Sequence, residues 1–484
     1  MVAAQQVKHR PNKEETGGEV NSRPLIFILL FAILFWFSAH PEGISDKAWH
    51  LFVIFLSTIL GIMFRPMPVS SVVFVGMTAT LLTGTLNYDV VLSAYSKDSV
   101  WLILMSFFLA RGLVKTGLAI RISYYFVKML GKYTLGLAYG IGVSEVCLAT
   151  IIPSLVARTG GVIYPIVLAT TENIKRDHPG QPVDKTCGFL MMSAFQISGI
   201  SSAMFLTAMA ANPLIVGIAQ EMGITISWGL WAMGAIVPGI ISLIAVPFVL
   251  YKIMNIEIKH TPKAAALAEE KLNEMGSIKT NEKIMFGTFI VVLSLWIFGG
   301  HIGIDSLTAA MLGVSALLIT GVLKWSDCIK EETAWATLFW LGGLIAMGSA
   351  LKTLGLFDWL SAHMVNLAEG MDWKWGLLAL VLFYFYSHYL FASNTAHVTA
   401  MFSAFLATAI QIGSPGLLAA LILGYCSNLF GGLTHYSSGP APIFYASHYL
   451  TLQRWWFYGL VSSVINILIW LIIGGFWWKL IGIW

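Results

Sequence analysis

Apolar stretches of membrane-spanning length recur along almost all of the 484-residue chain, and no other feature constrains its fold as tightly. A bilayer core of about 30 Å asks for about 20 apolar residues per helix. Runs that meet or approach this fall near 24–40, 47–64, 69–86, 100–130, 187–220, 228–251, 284–300, 304–323, 334–353, 416–447 and 456–478. Inside hydrocarbon every backbone N–H and C=O must be paired within the protein, so such runs fold as helices. Charged residues make up 11% of the chain, against about 25% in ordinary soluble domains. The expected fold is an all-α polytopic membrane protein with about eleven transmembrane helices, which excludes a water-soluble enzyme.

Two further apolar regions, near 134–170 and 375–411, are interrupted by polar residues at their middles. Each half is too short for a comfortable crossing, which suits a re-entrant helical hairpin. Irregular backbone at membrane depth survives only where it lines a protein cavity. With two hairpins that return to their own side, the basic residues set the topology. An N-terminus inside gives the inner loops Arg65, Lys128, Lys132, Lys175, Arg176, Lys185, Lys324, Lys330, Arg454 and the lysines of 252–283. The outer side keeps Lys47, Lys97, Lys352 and Lys374. The C-terminus is then outside.

Residues 1–23 are polar and mixed in charge, a cytoplasmic tail rather than a cleaved signal. Segment 252–283 is the one long polar interior stretch. Within it TPKAAALAEEKLNEMG reads as an amphipathic helix with Thr261 as N-cap and Gly276 as stop. It divides the chain into 24–251 and 284–484.

These two halves repeat a pattern. FFLARGLVKTGL (107–118) and LIAMGSALKTLGL (344–356) align on Lys115 and Lys352. Thirty-nine residues after Lys115 stands Ser154 in IIPSLVARTGG, and forty-one after Lys352 stands Ser393 in LFASNTAHVTA. A broken apolar run follows in each half, FLTAMAANPL at 205–214 and HYSSGPAPIF at 435–444. Three matches in one order make an internal repeat, and the connecting segments put its copies in opposite orientations. Inverted repeats with discontinuous helices are a transporter signature, with the substrate held where the breaks meet near the midplane.

Ser154 and Ser393 are good N-caps for the second arm of each hairpin, and Pro153 cannot continue the arm before it. Helix N-termini offer unpaired N–H groups and about half a positive charge, so the expected ligand is a small anion. Arg158 and His397 each stand four residues after a capping serine. An arginine at membrane depth costs about 2.5–3.5 kcal/mol on the insertion scale and needs a partner or a task. Both residues are read as charge compensation beside the anion.

The paired hairpin motifs, the triplet Ser393-Asn394-Thr395, and the runs TAMAANP and GLTHYSSGPAP resemble the divalent anion:sodium symporter family. The likeness runs from about residue 24 to the C-terminus and is greatest to the INDY-type di- and tricarboxylate exchangers, the branch of bacterial citrate/succinate antiporters and the plastid 2-oxoglutarate/malate translocator. It implies a homodimer of scaffold and transport domains working by elevator motion. It also places substrate carboxylates at two triplets, here Ser154-Leu155-Val156 and Ser393-Asn394-Thr395, and at the breaks around Thr207 and Ser437-Ser438-Gly439. Sodium-coupled relatives use the Asn of each triplet for Na⁺. Leu155 cannot ligate a hard cation, which removes the first sodium site, while Asn394 leaves one weak site in the second.

Elsewhere the bland readings are preferred. Glu145 in the first hairpin is expected in a salt bridge, and Arg111 and Lys115 as interface anchors or partners of Asp98 or Glu145. His388, His435 and His448 fit no metal motif and read as packing or hydrogen bonding near the cavity. The four cysteines are apolar filler. A net charge of +4 gives no nucleic-acid footprint, and no HExxH, GxSxG or P-loop pattern supplies a catalytic set. No cofactor or metal is expected. The reading is a secondary transporter of a bacterial inner membrane exchanging succinate, malate, fumarate, 2-oxoglutarate or related di- and tricarboxylates. The alternatives are a sodium-driven symporter of the same fold, or an anion-binding sensor or channel.

Overall fold

The computed structural model describes residues 20–365 and 372–484, so most of the polar tail at 1–23 lies outside the described residues. Among those residues the chain is helical without strands, apart from an isolated bridge between Tyr133 and His260. Among the described residues seven helices are long and apolar enough to cross a membrane: Asp46–Phe64, Asp98–Thr116, Asp184–Met204, Trp228–Met254, Thr280–Ile302, Glu332–Thr353 and Leu452–Leu480. Shorter apolar helices span Ser22–Trp36, Val69–Leu82, Thr134–Ala149, Ser306–Ile319 and Gly416–Gly432.

The chain divides into two compact units. One holds residues 20–94 with 339–359. Its helices approach closely at Gly76, where an added Cβ would strike Thr58, and Trp359 Nε1 donates to Glu42 O at 2.8 Å. The other holds 95–338 with 360–484 and contains both hairpins and both broken helices. Compactness thus follows a different division from the two halves of the sequence.

Three local expectations are corrected. The run 100–130 is two helices, Asp98–Thr116 and Leu118–Leu130, because Gly117 adopts φ +81, the left-handed conformation that ends a helix. The matching Gly355 does the same at φ +79, between Glu332–Thr353 and Leu356–Val365. Thr261 precedes the linker helix Pro262–Met275 without capping it, since its Oγ1 donates to Gly131 O at 2.9 Å. Lys115 is paired with neither Asp98 nor Glu145. It donates to Asp327 Oδ2 at 2.6 Å and to Val322 O at 2.9 Å. The Lys115 ammonium, with the Lys324 N–H, holds the Asp327 carboxyl below the ordinary aspartate range.

Element order then repeats along the chain. A long helix, a glycine turn and a short helix lead into a hairpin, Thr134–Ala149 with Val156–Asp177 in the first half and Trp373–Tyr386 with Asn394–Gln411 in the second. A helix that breaks follows each time. Asp184–Met204 stops, turns through Leu206–Ala208 and resumes as Ala211–Glu221. Gly416–Leu429 turns at Phe430–Gly432 and resumes only at Ala441–Tyr445.

The second break is held by the helix Leu452–Leu468, which presents Gly459 to it. A Cβ at Gly459 would meet Leu433 O and lie 2.8 Å from Gly432 O. Backbone cannot yield as a side chain can, so Gly459→Ala is expected to cost about 1–3 kcal/mol. A lower midpoint of thermal unfolding in detergent checks this, and a wild-type midpoint would show that the break has room to move.

Candidate anion site at the hairpin tips

Each second hairpin arm starts at its serine. Ser154 Oγ accepts from Ala157 N–H at 3.1 Å and Ser393 Oγ from Ala396 N–H at 3.4 Å. Their carbonyls accept from Arg158 N–H at 2.9 Å and His397 N–H at 3.1 Å. The amides of 155, 156, 394 and 395 are then first-turn groups that a helix leaves without a partner. In the first hairpin the arm opens as a wider i→i+5 turn over Val156–Ile163, a form that recurs at functional sites.

One segment touches both tips. A Cβ on Gly439 would strike Val156 of the first tip, and a Cβ on Gly431 would lie 2.8 Å from Asn394 Nδ2 of the second. Residues 431–439 of the second break therefore run from one tip to the other. The two broken helices are joined directly, since Asn428 Nδ2 donates to Asn212 Oδ1 at 2.9 Å. Gln196 Nε2 of the first donates to Gly432 O of the second at 2.8 Å.

The candidate residues separate by exposure. Ser154, Val156, Ser393, Thr395 and Gly439 are at least partly open, whereas Leu155, Thr207, Asn394, Ser437 and Ser438 are buried. The buried hydroxyls are already engaged. Thr207 Oγ1 donates to Thr150 O at 2.6 Å and accepts from Trp228 Nε1 at 3.0 Å. Ser437 Oγ lies 2.6 Å from Gly431 O, and Ser438 Oγ 3.1 Å from the same oxygen. Asn394 Nδ2 donates to Ser427 O at 3.0 Å. These side chains sit at the breaks and hold them, leaving Ser154, Ser393, Thr395 and the tip amides as the accessible polar groups.

Arg158 does not stand as an open charge. It is 0% exposed and its Nε donates to Glu145 Oε1 at 2.7 Å. Nη1 donates to Ile152 O and Ala208 O, both at 2.7 Å, and Nη2 to Ser202 Oγ at 2.8 Å. Glu145 Oε1 also accepts from Thr159 Oγ1 and Ser201 Oγ, at 3.1 and 3.2 Å. The sequence foresaw a salt bridge for Glu145 but not this partner. The pair cancels formal charge at the first tip, and its cation ties the hairpin to the first break. Glu145 Oε2 is buried without a hydrogen-bond partner among the described residues.

His397, at the equivalent position, is also fully buried, stacked on Phe391 and Phe430 with centroids 4.6 and 4.5 Å away. Its Nδ1 is 3.0 Å from His388 Nδ1, and His388 Nε2 is 2.7 Å from Ser437 O. His388 therefore hydrogen-bonds as the sequence reading allowed, and its partners link the second tip to the second break. One signal could have found it. Residues 375–453 contain no Asp, Glu, Lys or Arg, so histidine is the only side chain there suited to carry charge near neutral pH. No cluster of three or more His, Cys, Asp or Glu fit for a metal occurs among the described residues.

With this geometry in place, comparison with known proteins is informative. Residues 19–484 match the family described as the sodium:sulfate symporter transmembrane region. Dicarboxylate transporter 1, chloroplastic, of Spinacia oleracea is 47% identical over 470 residues, 96% of this chain and 82% of that protein. Inner membrane protein YbhI of Escherichia coli is 33% identical across 94% of this chain and 97% of its own length. The crystal structure of the Alcanivorax borkumensis YdaH transporter aligns with a TM-score of 0.57 at 13% identity, covering 95% of this chain and 98% of that one. That last likeness is one of fold alone.

The enclosed Arg158–Glu145 pair makes a stability prediction. Removing one partner of a buried pair leaves an uncompensated charge and costs about 3–5 kcal/mol. Arg158→Met should therefore lower the unfolding midpoint strongly, and Arg158→Met with Glu145→Gln should recover most of the loss. A single variant that unfolds like the wild type would return Arg158 to an open anion-binding role.

Proposed function

The chain belongs to the sodium:sulfate symporter transmembrane family of multi-pass membrane transporters, and from that premise we propose that it exchanges small dicarboxylates of the succinate, malate, fumarate and 2-oxoglutarate class. The observation that carries this is the run 431–439, which touches both capped tips. Two helix N-termini then serve one compartment, each with free amides and an accessible hydroxyl at Ser154 or Ser393. A dicarboxylate has one anionic group for each. The name of the 47%-identical spinach relative supports the same substrate class.

Sodium-independent antiport is the preferred coupling. Leu155 and Val156 offer no side-chain oxygen at the first tip, so the first of the two sodium sites lacks its ligand. Arg158 shapes the first tip as a positioning residue, since Glu145 neutralises it, and His397 remains as charge compensation at the second. The same reading takes the chain as a homodimer of the cell membrane, moving by an elevator mechanism, with its N-terminus in the cytoplasm and its C-terminus outside. The excess of basic residues in loops assigned to the inner side supports that orientation.

Asn394 favours one second reading, a symporter retaining a single sodium site. Counterflow in proteoliposomes separates the two. Labelled succinate or malate is expected to enter only vesicles preloaded with dicarboxylate, at the same rate with Na⁺ or K⁺ outside. Uptake into empty vesicles that needs an inward Na⁺ gradient would overturn the exchange reading.

A further inference from the structure

The hydrogen bonds around His397 form a chain that can be counted. Its links are Tyr384 O to Ser387 Oγ at 2.9 Å, Ser387 Oγ to His397 Nε2 at 3.2 Å, His397 Nδ1 to His388 Nδ1 at 3.0 Å, and His388 Nε2 to Ser437 O at 2.7 Å. Both ends are carbonyl oxygens, which only accept. Each link needs one proton, so the four links need four. The neutral groups supply three, one from the serine and one from each imidazole.

The assignment follows link by link. Ser437 O fixes the His388 proton on Nε2, which leaves His388 Nδ1 as an acceptor. His397 must then donate from Nδ1, and its Nε2 is bare. Ser387 has one proton for two acceptors, His397 Nε2 and Tyr384 O. Among the described residues its remaining hydrogen-bond partner, Met401 Sδ at 3.6 Å, is a weak acceptor as well. A fourth proton on His397 Nε2 completes the chain without moving a heavy atom, because Nε2–H donates to Ser387 Oγ and Ser387 to Tyr384 O.

The resulting imidazolium is met by aromatic faces. Phe391 and Phe430 stack on His397 at interplanar angles of 6° and 19°, and Tyr384 lies 4.7 Å from it, an arrangement that favours a cation. No ion pair between His397 and a carboxylate occurs among the described residues, and Glu221 of the helix Ala211–Glu221, which packs against the arm Asn394–Gln411, is already paired with Lys97. Tyr384 faces the ring with its hydroxyl 2.8 Å from Ser427 Oγ, and in the second break the Tyr436 hydroxyl donates to Tyr389 O and His435 Nδ1 accepts from Trp456 Nε1. Residues 375–453 hold no acidic side chain at all. The counter-charge has to come from a bound anion, and His397 stands one helical turn behind the Ser393 cap.

Building on the dicarboxylate reading, we propose that the His388–His397–Ser387 chain is a proton-binding site filled together with the anion, so that the bound species is one dicarboxylate with one proton. His397 carries the proton, while His388 and Ser387 act through it as positioning residues. His388 also passes the event to the second break through Ser437 O.

Proton uptake on binding tests this in the purified full-length protein, using weakly buffered detergent solution, a pH indicator and fumarate, which is a dianion throughout the range. The expected uptake between pH 7 and 8 is close to one proton per bound fumarate. The apparent Kd, followed by tryptophan fluorescence, should rise about tenfold per pH unit, as one-proton linkage requires. His397→Gln should abolish uptake and flatten the pH dependence. Ser387→Ala, which removes the acceptor for the fourth proton, should weaken binding about tenfold at pH 7.5 while keeping the slope at higher acidity. Fumarate binding by the wild type without proton uptake, at an affinity constant from pH 6 to 8, overturns the proton site and leaves the transport reading standing. No binding of fumarate, succinate or malate at any pH in that range overturns both.

Discussion

A helix broken within apolar surroundings leaves carbonyls that water cannot reach, and the whole site is arranged around meeting them. Arg158 takes Ile152 O and Ala208 O. Asn212 takes Ser202 O and Phe205 O, Thr207 takes Thr150 O, and Gln196 takes Gly432 O. In the second half Asn394 takes Ser427 O and His388 takes Ser437 O. An unpaired buried carbonyl costs about 1–3 kcal/mol, so these side chains cannot be released cheaply to contact a ligand. What the breaks leave over is backbone, the first-turn amides at each tip, with a serine beside them. That division explains why so few of the polar residues near the breaks are open, and why the proposed anion site draws chiefly on helix ends.

Local signals made the outline legible. Pro153 before Ser154, and Ser393 ahead of an apolar run, marked where two arms begin, and both hydroxyls do accept from the third amide beyond them. Composition fixed the helical class, since strands would leave edges that hydrocarbon cannot satisfy. The misreadings share a cause. The run 100–130 is mostly apolar on both sides of Gly117, and its division depends on the conformation of that glycine, which hydropathy does not report. Lys115 finds Asp327 across more than two hundred residues. Arg158 and Glu145 are only 13 residues apart, yet their meeting depends on the hairpin folding back. Side-chain types revealed that partners were needed, and tertiary structure alone decided which.

Arg158 and His397 occupy matching positions and solve the same problem differently. Each is fully buried one turn behind a tip, and each is tied to its own broken helix, the arginine through Ala208 O and the histidine through His388 to Ser437 O. The arginine comes with a carboxylate, so the pair adds no net formal charge at the first tip. The histidine comes with no acid and with aromatic faces, so the second tip can be neutral or cationic. Matching positions of the two halves thus hold one fixed ion pair and, on the proposed reading, one proton site.

The charge balance at the site follows from that asymmetry. Two helix N-termini supply about half a positive charge each, which together offset about one of the two charges on a dicarboxylate. The Arg158–Glu145 pair adds none, and residues 375–453 offer no lysine or arginine. One unit of positive charge is missing, and the four-link chain ending on Ser437 O has room for one proton. An empty site of this kind carries only the partial charges of its helix ends, while a loaded one approaches neutrality. The barrier to moving an unoccupied site then lies in unpaired tip amides rather than in a permanent ion, since a capped serine satisfies only one of the donors at each arm. The proposed exchange follows from this reading, in which a carboxylate at each tip fills those donors and leaving without a replacement exposes them again.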